Sequence, residues 1–219
     1  TTGGWNTASG NKALYSNTTG EYNNAFGYRA LYSNTTGIKN NAFGVAALQA
    51  NTTGSYHSAF GHYALYSNTT GTNNSAFGYK ALYSTTSGGA NSAFGFQTLM
   101  DNTTCFFNTA SGNNALSKNT TGSLNTAVGS EALYQNTEGS SNTAFGLQAL
   151  TYNSTGSNNT AIGDRAGYSN VSGDNNVFIG YKAGYTETGS NKLYISSYDT
   201  SNSEERDLIT GDFSTGELS

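Results

Sequence analysis

A seventeen-residue repeat constrains this chain more than any other feature. The stretch NTTGEYNNAFGYRALYS fills positions 17–33, and NTTG begins again at position 34. The period runs without slippage, so the repeat determines the architecture. Two glycine columns mark it: Gly10, Gly27, Gly44, Gly61, Gly78, Gly95, Gly112, Gly129, Gly146, Gly163 and Gly180, and Gly3, Gly20, Gly37, Gly54, Gly71, Gly88, Gly122, Gly139, Gly156 and Gly173.

The repeat length excludes the common helical repeats, which need about 33 residues for a helix pair. Short strands joined by glycine corners fit so short a repeat, and stacked coils would pair strand on strand. The sequence therefore predicts an all-β fold, a parallel β-solenoid of about eleven 17-residue coils. We expect the solenoid domain to span residues 1–186 and a C-terminal capping β segment to span 187–219. In that cap, KLYISS (192–197) and DLITGDF (207–213) read as strands around a solvated loop at 198–206.

Two neighbouring columns of each predicted strand are apolar. Ala25 and its equivalents are followed by Phe26, Phe43, Phe60, Phe77 and Phe94, then by Val128, Phe145, Ile162 and Ile179. Adjacent strand residues face opposite ways, so both faces are predicted to be buried. One face fills its own coil, and covering the other requires another chain. The residues thus predict self-association without fixing the number of chains.

Polar columns are expected to shape the corners. Asn recurs four residues before the AFG-type glycine, with His57 as a substitute, and predicts an amide ladder between coils. The NTTG stretch is expected to turn with positive φ at Asn and Gly. Cys105 replaces that glycine, which predicts a locally altered corner. Ala30 and Leu31 should return to the core, and Tyr32 and its equivalents should form a broken aromatic ladder.

Composition narrows the function classes. The net charge is −4 with 9 Lys and Arg, so no basic patch favours nucleic acid. No apolar run approaches a membrane span, so we expect no membrane insertion in this segment. Cys105 is the single cysteine, which excludes an intrachain disulfide. The seven NTT and NST matches to a glycosylation acceptor are explained by the repeated corner itself.

Catalytic chemistry has weak support in the sequence. His57 and His62 have no carboxylate or metal-ligand spacing around them, and the acidic residues of the tail show no convergence. We therefore expect no enzyme activity, no catalytic or metal site and no cofactor. The positions after the AFG-type glycine vary between coils and should be solvated, so they are the predicted surface contacts for a ligand: Tyr28, Arg29, His62, Tyr63, Tyr79, Lys80, Arg165 and Lys182.

The coil motif resembles a known family of surface proteins. NNTAIGDRA (158–166), LNTAVGSEA (124–132) and NNVFIGYKAG (175–184) are similar to the head repeats of YadA-like trimeric autotransporter adhesins and to repeats of bacteriophage tail fibres. The resemblance covers about residues 3–186. It implies a left-handed β-roll, a homotrimer and an extracellular position on a cell surface or a virion or tail-like particle. The tail resembles the segment before a self-cleaving chaperone domain, which makes Ser219 either a processed terminus or an arbitrary end.

The functional expectation is a structural and adhesive segment of a trimeric fibre, either an adhesin head or a tail-fibre shaft. Its target would be a glycan or a protein of the host surface, a choice that the sequence leaves open. Two alternatives remain. The stacked threonines allow an ice-binding β-solenoid, although adjacent pairs such as Thr18 and Thr19 should face opposite ways on a strand. The other alternative is a purely structural spacer.

Overall fold

The computed structural model describes residues 2–199 and 204–218 and shows a parallel β-solenoid of about eleven turns. The described residues contain strands and turns and no helix. This confirms the all-β fold, the 17-residue spacing and the absence of helices. Each turn contributes one three-residue strand: β1 (Thr7–Ser9), β2 (Asn24–Phe26), β3 (Asn41–Phe43), β4 (Ser58–Phe60), β5 (Ser75–Phe77), β6 (Ser92–Phe94), β7 (Thr109–Ser111), β8 (Thr126–Val128), β9 (Thr143–Phe145), β10 (Thr160–Ile162) and β11 (Val177–Ile179).

The chain divides into two compact units, Thr1–Thr109 and Ala110–Ser219. In the first unit, β1 to β6 pair in parallel and in register, so that each residue faces its equivalent in the next repeat. In the second unit, β8 to β11 pair in the same way. Strand β7 lies at the boundary in the sequence.

The C-terminal strands change the pattern within the second unit. Strand β12 (Lys192–Asp199) pairs in parallel with β11, with Leu193 opposite Val177, a step that is one position shorter than the repeat. Strand β13 (Glu204–Asp212) is antiparallel to β12, with an irregularity between Ile195 and Ser196, and β14 (Glu217–Leu218) is antiparallel to β13. Both long strands extend into the predicted loop. Only residues 200–203 of that loop separate them, and these lie outside the described residues.

Three inward columns form the core of the coils. From the second coil onward, Ala25, Ala30, Leu31 and the alanine and leucine residues equivalent to them are buried, whereas Ala8, Ala13 and Leu14 of the first coil are exposed or half-buried. Alanine is needed in the strand column because each coil encloses little space, and leucine fills the opposite side. The predicted core is confirmed for these columns.

Two asparagine columns connect successive coils. In the predicted column, Asn23 Nδ2 donates to Gly37 O at 2.8 Å and its Oδ1 accepts from the Asn40 N–H at 3.0 Å. The more continuous amide-to-amide ladder lies instead in the NTTG column, where Asn34 Nδ2 donates to Asn17 Oδ1 and Asn51 Nδ2 to Asn34 Oδ1. These buried bonds satisfy backbone groups that the turns leave unpaired.

The predicted origin of the NTTG corner is wrong. Gly54 and its equivalents do not have positive φ, and neither does Cys105. Glycine is needed because a Cβ at Gly54 would lie 2.5 Å from Gly71 O and against Asn51 Oδ1. The Cys105 carbonyl accepts the usual bond, from Asn91 Nδ2 at 2.8 Å, as Gly88 O does from Asn74 Nδ2. The positive φ predicted for this corner is therefore absent, whereas the corner itself is altered by an isolated parallel bridge between Gly89 and Phe106.

Positive φ occurs elsewhere in each coil. Three non-glycine columns have left-handed backbone, represented by Tyr22 (58°), Arg29 (57°) and Leu31 (50°). The AFG-type glycines have φ between 121° and 145°, a region nearly closed to other residues. The left-handed columns make the tight turns of a coil that has only one short strand.

Candidate tyrosine recess and outer apolar column

The predicted contact residues lie on the stretch that follows each AFG-type glycine. Tyr28, His62 and Tyr79 are exposed, whereas Arg29 and Lys80 are half-buried. The cationic groups of Arg29 and Lys80 lie over tyrosine rings. Solvation is confirmed for Tyr28, His62 and Tyr79 and is only partial for the residues that follow them.

A tyrosine–cation clamp occurs three times, from the segments YRALY, YKALY and YKAGY. In each, a cation lies over the ring before it and over the ring three residues after it. Arg29 lies 5.2 and 5.5 Å from the ring centroids of Tyr28 and Tyr32. Lys80 and Lys182 repeat this geometry with Tyr79 and Tyr83, and with Tyr181 and Tyr185. The positive charge is thus held close to the surface and faced by aromatic rings.

The middle clamp is enlarged into an open recess of about 430 Å³, which we call the tyrosine recess. Its lining is Tyr63, Tyr66, Tyr79, Lys80 and Tyr83. Tyr66 stacks on Tyr83 with a centroid distance of 5.1 Å and an interplanar angle of 6°. Tyr63 stands edge-on to Tyr66, Tyr79 and Tyr83, at angles of 70–81°. The structure therefore brings three of the predicted contacts together, with His62 beside Tyr63 at 6.4 Å.

Arg165 and the residues of the two remaining clamps are not part of the lining of this recess. Arg165 Nε donates to Gln148 Oε1 at 2.8 Å and lies 4.0 Å from the Asp164 carboxylate. Its charge is therefore engaged by neighbours rather than held between tyrosines. Tyr66 and Tyr83 were not predicted as contacts. The sequence contained a signal for them, because HYALY (62–66) and YKALY (79–83) lie one repeat apart and end in equivalent tyrosines.

The outer apolar column is the second notable surface. It consists of Phe26, Phe43, Phe60, Phe77 and Phe94 in the first unit and of Val128, Phe145, Ile162 and Ile179 in the second. The phenylalanine rings stack at 4.7–5.0 Å between centroids. Phe94 is 43 % exposed and Phe145 is 56 % exposed. Strands β1 to β11 contain no charged residue, so this apolar surface is continuous within each unit and uncharged.

His57 takes the place of an asparagine in the predicted amide column, as expected. Its ring is fully buried, with Nε2 2.7 Å from Gly71 O and Nδ1 accepting the Asn74 N–H at 3.2 Å. This pairing fits the neutral ring with its proton on Nε2. Burial lowers the pKa of His57 to about 4. Its two ring nitrogens are both occupied by the backbone.

The C-terminal strands enclose a polar recess of about 550 Å³ in the second unit, between Glu187, Lys192, Tyr194 and Asp212. Lys192 Nζ lies 2.6 Å from Asp212 Oδ2, and the Tyr194 hydroxyl donates to Glu187 Oε2 at 2.7 Å. Bonds from Lys192 and Ser214 hold the pKa of Asp212 well below its usual range. Burial raises the pKa of Glu187, but the hydrogen bonds donated by Gly189, Tyr194 and Thr188 have the larger combined effect. The pKa of Glu187 is therefore lowered. Both carboxylates are therefore ionised and engaged.

Comparison with known proteins adds no relative to this picture. No family model, curated protein or solved structure matches the chain. Among the side chains that the structure describes, those of residues 2–196 and 208–218, no group of three His, Cys, Asp or Glu is arranged to hold a metal ion. Across the same residues, no helix has the length and apolar character needed to cross a membrane. The class of protein is therefore defined by geometry alone: a repeat protein with a parallel β-solenoid fold.

Proposed function

We propose that this chain is a structural and adhesive segment of a homotrimeric extracellular fibre, an adhesin head or a tail-fibre shaft. The observation that carries the proposal is the outer apolar column. A column of stacked phenylalanine rings that are half-buried, as at Phe43 and Phe60, or exposed, as at Phe94, on an uncharged strand surface is unusual for a solenoid that stands alone. Other copies of the same chain would cover this surface, because every coil except those of Ser9 and Ser111 presents an apolar side chain in this column.

The composition of the strands favours self-association over binding to a charged partner. On the outward face, the residue two positions before each outer apolar side chain is uncharged, and it is a serine or threonine in most coils, as at Ser58, Ser75 and Thr143. Interface cores are depleted in charge and enriched in aromatic residues. Residues 187–219 would then cap the last coil, and left-handed coils packed about a threefold axis would match the family that the motif resembles.

Adhesion follows from repetition. Three chains with up to eleven similar coils each would present many equivalent surfaces, and multivalent attachment greatly exceeds the affinity of one site. The exposed residues after each AFG-type glycine differ from coil to coil and are the proposed contacts to a host-surface glycan or protein. A segment with this role would lie outside the cell, on a cell surface or on a virion or tail-like particle.

The mass of the native chain in solution tests the assembly. Light scattering behind a sizing column should give a mass near three chains of 22.9 kDa. The variant F60D/F77D, which puts two carboxylates into the outer apolar column, should be monomeric and keep its β-type circular dichroism. The matched variant Y56D/F107D, at two exposed aromatic residues of another column, should remain trimeric. A wild-type monomer would overturn the proposal.

The ice-binding alternative has one supporting observation, an exposed in-register column formed by Thr19, Thr36, Thr53 and Thr70. The adjacent threonine column faces the next coil, since Thr35 Oγ1 donates to Thr52 O at 3.0 Å. One free hydroxyl column remains in this corner. Thermal hysteresis in a freezing-point assay would favour ice binding, and its absence alongside a trimeric mass would favour the fibre.

A further inference from the structure

The tyrosine recess exists because one coil departs from the repeat. Tyr63 occupies a column that otherwise holds lysine, arginine, glutamine, asparagine, glutamate or alanine, and it is the single aromatic residue there. Its φ is 60°, a conformation that is unfavourable for a bulky side chain. The core does not require this ring, since Ala46 fills the equivalent position in the preceding coil. The left-handed backbone belongs to the whole column, so the ring itself is the feature that neither the turn nor the core requires.

The polar groups of the recess are available. Among the residues whose side chains the structure describes, 2–196 and 208–218, the hydroxyls of Tyr63, Tyr79 and Tyr83 have no hydrogen-bond partner, while Tyr66 accepts a long bond from Gln49 at 3.4 Å. In the same described part of the chain, no carboxylate lies within 4.0 Å of Lys80 Nζ. The ammonium group is faced only by the rings of Tyr79 and Tyr83. The recess thus offers flat apolar walls, free hydroxyl groups and one uncompensated cation.

The surrounding charge favours an anion. Residues 1–109 carry four Lys and Arg and two Asp and Glu, a net charge of +2, although the whole chain has −4. The acidic residues of this unit are Glu21 and Asp101, neither of which lines the recess. An anionic ligand therefore meets a locally positive surface on a chain that is acidic as a whole.

We propose that the tyrosine recess binds a sugar residue that carries a carboxylate. The C–H face of the sugar would lie on the tyrosine rings, its hydroxyl groups would bond the tyrosine hydroxyls, and its carboxylate would pair with Lys80. The volume suits one or two sugar units. A cationic ligand is disfavoured, because Lys80 already lies over two of the rings. This inference rests on the proposed adhesive function and names its ligand class.

Two substitutions with precedents inside the chain test the site. Tyr63→Ala copies Ala46, and Lys80→Gln copies Gln97, which has the same left-handed backbone with φ 52°. Both should leave the fold intact. The matched control is Lys39→Gln, which removes one charge from the same unit where Lys39 lies over the single ring of Tyr56 at 5.3 Å. The probes are a galacturonic acid trimer and a neutral galactose trimer, titrated by calorimetry into the full chain.

The wild type should bind the acidic trimer about tenfold more tightly than the neutral one. Lys80→Gln should abolish that preference, Tyr63→Ala should weaken both probes at least about tenfold, and Lys39→Gln should change neither. Equal binding of the two probes, no binding of either, or an equal loss in Lys39→Gln would overturn the inference. The mass of each sample is measured in parallel. A trimeric protein that binds neither sugar would contradict the proposed ligand of the recess but not the proposed fibre. A monomeric protein that binds the galacturonic acid trimer would contradict the fibre but not the ligand.

Discussion

At the scale of single residues, His57 shows how a repeat column tolerates a substitution. The imidazole takes over both bonds of the asparagine it replaces, one to Gly71 O and one from Asn74 N–H. The second bond requires an unprotonated Nδ1, and burial independently disfavours the charged ring. His57 is therefore a ladder residue that functions only in its neutral form.

The pH dependence of stability should reveal His57. The unfolded histidine takes up a proton near pH 6.5, whereas the folded one remains neutral until about pH 4, so the unfolded chain binds more protons between these values. The free energy of unfolding should therefore decrease as the pH is lowered from 6.5 to 4, by up to about 3 kcal/mol. His57→Asn should remove that part of the slope, measured by denaturant unfolding from pH 4 to pH 8. Parallel curves of unfolding free energy against pH for the wild type and His57→Asn would contradict the assignment. The control is His62→Asn, which replaces an exposed histidine.

Thr85 interrupts the NTTG amide ladder and leaves a buried acceptor without a donor. Asn68 Oδ1 has no hydrogen-bond partner among the described residues, while Asn102 Nδ2 donates to Thr85 Oγ1 at 3.2 Å. Thr85→Asn should join the two parts of the ladder and raise the free energy of unfolding by about 1 kcal/mol. Ser87→Asn adds the same side chain at an exposed position of that corner. If it stabilises the protein equally, the ladder explanation is wrong.

Residue roles were only partly predictable from the sequence. The buried Asn23 and Asn40 were evident from periodicity alone, because an amide that recurs once per repeat in a solenoid must face its own copies. The reason for Gly54 was not evident. Spacing shows that glycine is required, but it does not distinguish a backbone angle from the close approach of Gly71 O. The left-handed backbone of Leu31 was not evident either, because its spacing indicates only a core residue.

At the scale of elements, β11 carries a compensated exchange of large and small residues. Phe178 replaces the strand alanine and is fully buried, while Gly167 and Gly184 replace core leucines. A Cβ at Gly167 would lie 2.5 Å from Phe178 Cδ2, and one at Gly184 would meet the same ring. The change from ALY to AGY was visible in the sequence. The contact of these glycines with Phe178 was not visible, because the stacking of the coils determines which side chains share space.

The exchange predicts strong energetic coupling. Phe178→Ala alone should cost about 3–5 kcal/mol by leaving a cavity, and Gly167→Leu alone should destabilise by overlap with the ring. The variant G167L/G184L/F178A restores the Ala–Leu arrangement of the earlier coils and should be much more stable than the sum of the single changes predicts. Denaturant unfolding of each variant measures this. Additive losses would show that the residues do not share one space.

At the scale of the whole molecule, eleven coils and their spacing were predictable, since they are written in the glycine columns. The shortened step into β12 was not, because the tail leaves the repeat. The tyrosine recess was predicted only in part: Tyr63, Tyr79 and Lys80 were selected for exposure and variability. Their convergence with Tyr66 and Tyr83 depends on the stacking of two coils.

Deleting one coil should preserve the fold. Removal of residues 38–54 joins Gly37 to Ser55 and keeps the register of bonds such as Asn34 Nδ2 to Asn17 Oδ1. The variant should retain β-type circular dichroism and a cooperative thermal transition. Removal of residues 38–46 deletes fewer residues but removes the strand of one coil and leaves the rest of that coil. This variant should lose the cooperative transition. If the two deletions behave alike, the coils are not independent modules.

The bonds between coils have a consequence for inheritance. Each coil meets the next through donors and acceptors one repeat apart, so a recombination event that adds or removes one whole repeat of the gene would yield a chain whose remaining coils still pair. An insertion or deletion of any other length would shift every later donor away from its acceptor. A change of length by whole coils is thus the change that this fold tolerates best.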